Sequence, residues 1–162
     1  MLRMVAKGKL QSIGERIVLA LWVGGLWGVG FLAVPVLFHA LDKHAAGDLA
    51  APMFTLINAF SLVCGALLLL FAVFAGRRGW YRSWRTGVIL SMMAVAAVIL
   101  FLIQPQMAAL KAQAAVAGAG LGPRFARLHG ISSALYFLGS ILGLLLVGAG
   151  GVSETARDNN GS

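Results

Sequence analysis

The chain has 162 residues, 60% of them hydrophobic and 11% charged, against about 25% charged in a soluble domain, which excludes a water-soluble fold and marks an integral membrane protein. Its formal net charge of +8 does not point to nucleic acid, because lysine and arginine gather in short segments beside apolar runs, where they set membrane orientation. The single cysteine, Cys64, lies inside an apolar run, so no intrachain disulfide can form.

Residues 1–16, with Arg3, Lys7, Lys9 and Arg16 against Glu15, form a basic cytoplasmic or interfacial leader. From Ile17 to Phe38 no residue is charged, and that length of helix, about 33 Å at 1.5 Å per residue, crosses a hydrocarbon core of about 30 Å. The first span is therefore 17–39. Along it Gly24, Gly28, Leu32, Pro35 and His39 recur at three- and four-residue spacing and share one face. Small residues let a second helix approach closely in lipid, so this face is expected to point into a bundle and to carry His39 with it.

A short loop with Asp42, Lys43, His44 and Asp48 leads to Pro52, a residue suited to the first turn of a new helix, and the second span is 52–75. Behind it Arg77, Arg78, Arg82 and Arg85 stand among Trp80, Tyr81 and Trp84, the combination of a cytoplasmic membrane interface. The third span, 86–103, is expected to stop at Gln104-Pro105, since proline lacks an N–H and its ring clashes with the preceding turn. An alanine-rich interfacial stretch, 107–116, and a glycine-alanine break, 117–122, precede Pro123; the fourth span is 129–148. Residues 150–162 read as a disordered cytoplasmic tail.

The basic residues of the leader and the arginine loop, with Arg157, outnumber Lys43, Lys111, Arg124 and Arg127 on the opposite side, which predicts both termini in the cytoplasm. With short connections the expected fold is all-α: an integral membrane four-helix bundle, up-down-up-down, spanning residues 17–149 of a multi-pass protein of the bacterial inner membrane.

Polar residues also keep to faces. His129, Ser132, Tyr136, Gly139 and Gly143 share one on the fourth helix, Asn58 and Ser61 share one on the second, and Gln104 closes the third. Depth along the helices places His39, Asn58, Gln104 and His129 in the outer half. A pocket open to the outer surface is expected there, lined by His39, Asn58, Ser61, Gln104, His129, Ser132 and Tyr136. Two histidines from different helices at one depth are a minimal grip for copper, zinc or haem iron. At the headgroup level the same histidines equally serve water, backbone or lipid phosphate. Gly24, Gly28, Gly139 and Gly143 are the candidate helix-packing positions, toward a second copy or a larger complex in the lipid bilayer. No catalytic triad, carboxylate pair, phosphate loop or cysteine cluster occurs and no acidic residue lies within a span, so neither an enzyme nor a proton-driven relay is expected.

The runs LWVGGLWGVGFLAVPVLFHALDKHAAGDLAAPMF, with Trp22, Gly24, Gly25, Pro35, Phe38, Gly47 and Phe54, and RFARLHGISSALYFLG resemble the bacterial side of the transmembrane protein 205-like family. Its members are small four-helix membrane proteins classed as a domain of unknown function. The likeness covers about residues 15–148; where the family often has asparagine after the Leu-His-Gly-Ile-Ser-Ser turn, this chain has Leu135 and Tyr136. Eukaryotic relatives are associated with resistance to platinum drugs, and the Trp-Gly-Gly helix is similar to that of copper-resistance membrane proteins. The resemblance points toward metal handling without naming a mechanism; joined to the pocket read from the residues, the expected role is binding of, or tolerance to, a transition metal, with His39 and His129 as ligands and Asn58, Gln104 and Tyr136 as the groups that support them. The alternatives are a structural or accessory subunit packing by its glycine faces, and a haem- or quinone-associated electron-transfer module.

Overall fold

The computed structural model describes residues 2–74 and 80–158, with side-chain surroundings over 11–74 and 81–149. Among the described residues all regular structure is helical. Helix α1 (Leu2–Trp27) passes through a π-helical turn, Gly28–Ala33, into α2 (Val34–Ala40), and α3 is Lys43–Phe74. After a short 3-10 turn, Trp80–Arg82, α4 (Trp84–Ala97) passes through a second π turn, Val98–Ile103, into α5 (Gln104–Ala117), and α6 is Pro123–Asp158. These pieces join into four rods long and apolar enough to cross a membrane, Gln11–Ala40, Lys43–Phe74, Trp84–Ala117 and Pro123–Ala149.

Each rod outruns the span expected for it, for reasons that lie in single residues. The second begins at Lys43 and not at Pro52 because Asp42 caps it: the carboxylate accepts from the N–H of His44 (2.9 Å) and Ala45 (3.1 Å), and its carbonyl from Ala46 (2.9 Å). Pro52 then sits inside α3, and the carbonyl that loses its donor belongs to the exposed Asp48. Pro105 does not end the third rod either. Gln104 N–H bonds the carbonyl of Ile99, five residues back, and the widened turn accommodates the proline ring and its missing donor. Pro35 follows the first π turn in the same way, with Val34 N–H reaching Val29. The third rod ends instead at Gly118, whose φ of 60° lets Ala119 N–H return to the Ala114 carbonyl at 3.0 Å. Helix α6 runs on to Asp158, through the start of the stretch read as a disordered tail.

Neighbouring rods meet in opposite chain order. Gln11 on α1 donates to the Phe71 carbonyl late in α3, whereas Gly25 lies against Ile57 and Phe60. Thr55 meets Gln104 while Gly65 meets Met93, and Gly30 meets Tyr136 while Val23 meets Gly143. The core runs the length of the bundle: Leu19, Trp22, Val23 and Leu26 from α1, Ile57, Cys64 and Leu68 from α3, Ile89, Met92, Ile99 and Ile103 from the third rod, Tyr136 and Leu146 from α6. Leu32, Leu56 and Phe74, at 69%, 73% and 79% exposure, point away from it. An exterior this apolar is suited to lipid, where packing and interhelical hydrogen bonds, not the expulsion of water, hold helices together.

Candidate functional site

Near the midpoints of the first, second and fourth rods, polar groups collect around the core. Trp22 on α1, Asn58 and Ser61 on α3, Met92 and Ile99 on the third rod and Tyr136 on α6 line a cavity of about 10 Å³. Trp22 is wholly buried, and Asn58 and Ser61 are each 2% exposed. Asn58 Nδ2 donates to the Phe54 carbonyl and Ser61 Oγ to the Ile57 carbonyl, both at 2.7 Å. Ser61 thereby commits its one proton and Asn58 one of its two amide protons inside α3, and the side-chain oxygens of both residues remain able to accept. The Trp22 indole Nε1–H, buried beside them, has no hydrogen-bond partner.

On the opposite wall Tyr136 is held from three sides. Its hydroxyl donates to the Leu26 carbonyl at 2.6 Å, just before the first π turn, and Phe54 meets its ring edge-on with centroids 5.1 Å apart. The ring closes on Gly30, where a Cβ would overlap Tyr136 Cε1, so only glycine admits the tyrosine at this depth. One turn further along α6, Ser140 Oγ donates to the Tyr136 carbonyl (2.9 Å) and the Ser140 carbonyl accepts from Trp27 Nε1 (3.3 Å). Trp27 in turn stacks on Phe31 with centroids 4.3 Å apart. Two tryptophans five residues apart on one helix are thus used differently: Trp27 has a backbone acceptor across the α1–α6 seam, and Trp22 faces the cavity.

Of the residues expected to form an outward-opening pocket, Asn58, Ser61 and Tyr136 line this cavity, and His39, Gln104, His129 and Ser132 do not. His39 is exposed at the end of α2; His129 is exposed on α6, stacked on Phe125 of the preceding turn at a centroid distance of 6.3 Å. Gln104 Oε1 instead accepts from Thr55 Oγ1 at 2.7 Å and ties α5 to α3, and Ser132 is half-buried. Among the described residues no three His, Cys, Asp or Glu side chains are placed to hold a metal ion, so the metal reading gains no support. Arg82 is exposed and Arg85 half-buried, while Arg77 and Arg78 lie outside the described residues.

The interior face of the first helix is the reverse of the one expected. The buried stripe is Leu19, Trp22, Val23 and Leu26, whereas Gly24, Leu32, Pro35 and His39 are exposed. The reason is that the close approaches are made by other glycines: a Cβ at Gly25 would stand 3.0 Å from Ile57, and Gly30 admits Tyr136. Gly143 is internal, with Val23 at 3.0 Å and Met92 at 3.3 Å of its Cβ position, and Gly139 has Val95 at 3.7 Å. Cβ atoms at Gly24 and Gly28 would meet nothing within 4 Å.

At the end of the bundle that carries His39, the rods project further than their apolar parts require. Lys111 Nζ pairs with Asp48 at 2.7 Å and donates to the Gly47 carbonyl at 3.3 Å, joining α5 to the start of α3. In the loop before α3, the backbone N–H groups of Ala45 and then His44 hold the Asp42 carboxyl below its ordinary range.

Residues 17–116, which cover most of the first three rods and stop short of α6, match the family model of a domain of unknown function (DUF4149). No curated protein and no solved structure matches the chain. The family match does not extend to a transmembrane protein 205-like family as such.

Proposed function

We propose, for a chain that belongs to the DUF4149 family of domains of unknown function, a non-enzymatic role as a multi-pass module of a bacterial inner membrane that assembles with a second copy through Gly24 and Gly28. The observation that carries this reading is the open space at those two positions. Glycine in a helix interior costs about 1 kcal/mol relative to alanine. Inside the bundle a Cβ at Gly30 or Gly65 would overlap a side chain of another helix and one at Gly143 would stand 3.0 Å from Val23, but at Gly24 and Gly28 a Cβ would meet nothing within 4 Å among the described residues. Spaced by four residues on a helix bounded by the exposed Leu21 and Leu32, they form the small-residue face on which a second helix packs closely in lipid. Two copies inserted the same way up are related by a twofold axis along the membrane normal, which sets this face against itself.

The opposite chain order of every pair of neighbouring rods supports an up-down-up-down arrangement, and the arginine loop supports cytoplasmic termini. In that orientation the Asp48–Lys111 end lies outside. Transition-metal tolerance through His39 and His129 has no comparable observation behind it.

The test is energy transfer between donor- and acceptor-labelled copies in phosphatidylcholine/phosphatidylglycerol vesicles. Transfer should saturate at low protein-to-lipid ratio for the native chain, and the Gly24→Leu, Gly28→Leu double change should weaken association at least about tenfold, or about 1.4 kcal/mol. Native transfer no greater than that of a non-associating control protein overturns the proposal.

A further inference from the structure

We infer that the mid-bundle cavity is a site for one bound water molecule, held by the Trp22 indole N–H and by the side-chain oxygens of Asn58 and Ser61. Three observations converge on it. The indole nitrogen is fully buried with no partner, and in a membrane no solvent or loop rearrangement supplies one. The cavity of about 10 Å³ is the size that accepts a single water and nothing larger. Its wall offers what a water needs: a donor in Trp22, side-chain oxygens as acceptors in Asn58 and Ser61, which each give one proton to their own helix at Phe54 and Ile57, and the Tyr136 oxygen opposite, whose proton is given to Leu26. The apolar part of the lining, Met92, Val95 and Ile99, closes the third side and offers the water no competing bond.

Such a water completes a pattern in the interhelical polar ties. The first rod is tied to α6 by Tyr136–Leu26 and Trp27–Ser140, and α3 to the third rod by Thr55–Gln104. Between the first rod and α3, Gln11 ties to the Phe71 carbonyl, far from the middle. A water bridging Trp22 to Asn58 and Ser61 joins these two rods at the level of the cavity.

The experiment is proton-detected NMR on the full chain in lipid nanodiscs with the tryptophan indoles labelled with nitrogen-15, each signal assigned by a Trp→Phe change. The Trp22 indole proton should show a dipolar cross-peak to a water of long residence. Trp27, half-buried and bonded directly to the Ser140 carbonyl, serves as the control and should show none. Ser61→Ala, which keeps the tryptophan and removes one acceptor, should reduce the Trp22 cross-peak at least twofold while leaving Trp27 unchanged. Absence of a water cross-peak at Trp22 in the folded native chain, or cross-peaks to lipid acyl protons in its place, overturns the inference.

Discussion

On the inward face of the first rod Gly30 lacks a Cβ so that Tyr136 can close against the backbone; on the outward face Gly24 and Gly28 lack theirs with no neighbour within 4 Å to use the space. The same residue type, within one helix, is fitted to its neighbour in the first case and stands apart from its own fold in the second. The difference teaches how to sort glycines in a membrane bundle. Those that touch a rigid ring or backbone specify the fold, and those that touch nothing are free to specify an assembly. Gly65 falls with the first kind but less strictly, since what its Cβ would meet is the flexible Met93.

The sharpest way to break this contrast is Gly30→Ala. The added methyl enters the space of the Tyr136 ring, which is held by the Leu26 carbonyl and Phe54 and has nowhere to retreat. Overpacking of this kind costs about 1–3 kcal/mol, to be read as a lowered thermal or denaturant midpoint in detergent. Pairing the change with Tyr136→Ala should restore part of that loss, because the clash partner is gone; full additivity of the two changes would show that they do not share a contact. Next in size is Tyr136→Phe, which keeps the ring and removes the bond to Leu26. Interhelical hydrogen bonds in membranes are worth about 0.6 kcal/mol on average and about 1.7 at most, so a loss within that range is expected, and no loss would reduce the tyrosine's role to packing.

The opposite sign is expected on the outward face. Gly24→Ala and Gly28→Ala fill open space and raise helix propensity, so monomer stability should hold or rise by up to about 1 kcal/mol each. A destabilisation of the size seen at Gly30 would mean that this face is packed within the monomer, and the division between the two faces would fail.

Four membrane helices were legible from apolar length alone, because the bilayer sets a length that composition either meets or does not. Their ends were not legible from proline. Pro52 and Pro105 read as a start and a stop, yet Asp42 begins the second rod earlier and a π turn carries the third rod past Pro105. The Asp42 signal was in the sequence as an N-cap residue ahead of His44 and Ala45; the π turns have no comparable signature. Facing was the harder part. In a helix apolar all round, the periodicity that separates inside from outside in a soluble protein is missing, and two glycine rows competed for the interior. What decided between them was the shape of residues on other helices, Tyr136 on α6 and Ile57 on α3. Asn58, Ser61 and Tyr136 could be gathered from their spacing, but Trp22 was missed as their partner since its stripe with Leu19, Val23 and Leu26 looks like ordinary core packing. Only its unpaired nitrogen sets it apart.

The smallest expected effect tests the remaining tenant of the outward face. His39 continues the line of Gly24, Gly28 and Leu32 and is exposed, and His129 is exposed on α6 with Phe125 as its stacking neighbour. Exposed side chains without buried partners change stability by no more than about 0.5 kcal/mol, so the His39→Ala, His129→Ala double variant should melt and associate as the native chain does. Copper, zinc and haem content, measured on protein purified from metal-supplemented cells, should be low and equal in both. Stoichiometric metal that disappears in the double variant would mean that the two histidines meet, within a chain or across a pair of copies, and would make the outward face a ligand site as well as a packing surface. Equal content together with unchanged energy transfer would leave Gly24 and Gly28 as the residues that face acts through.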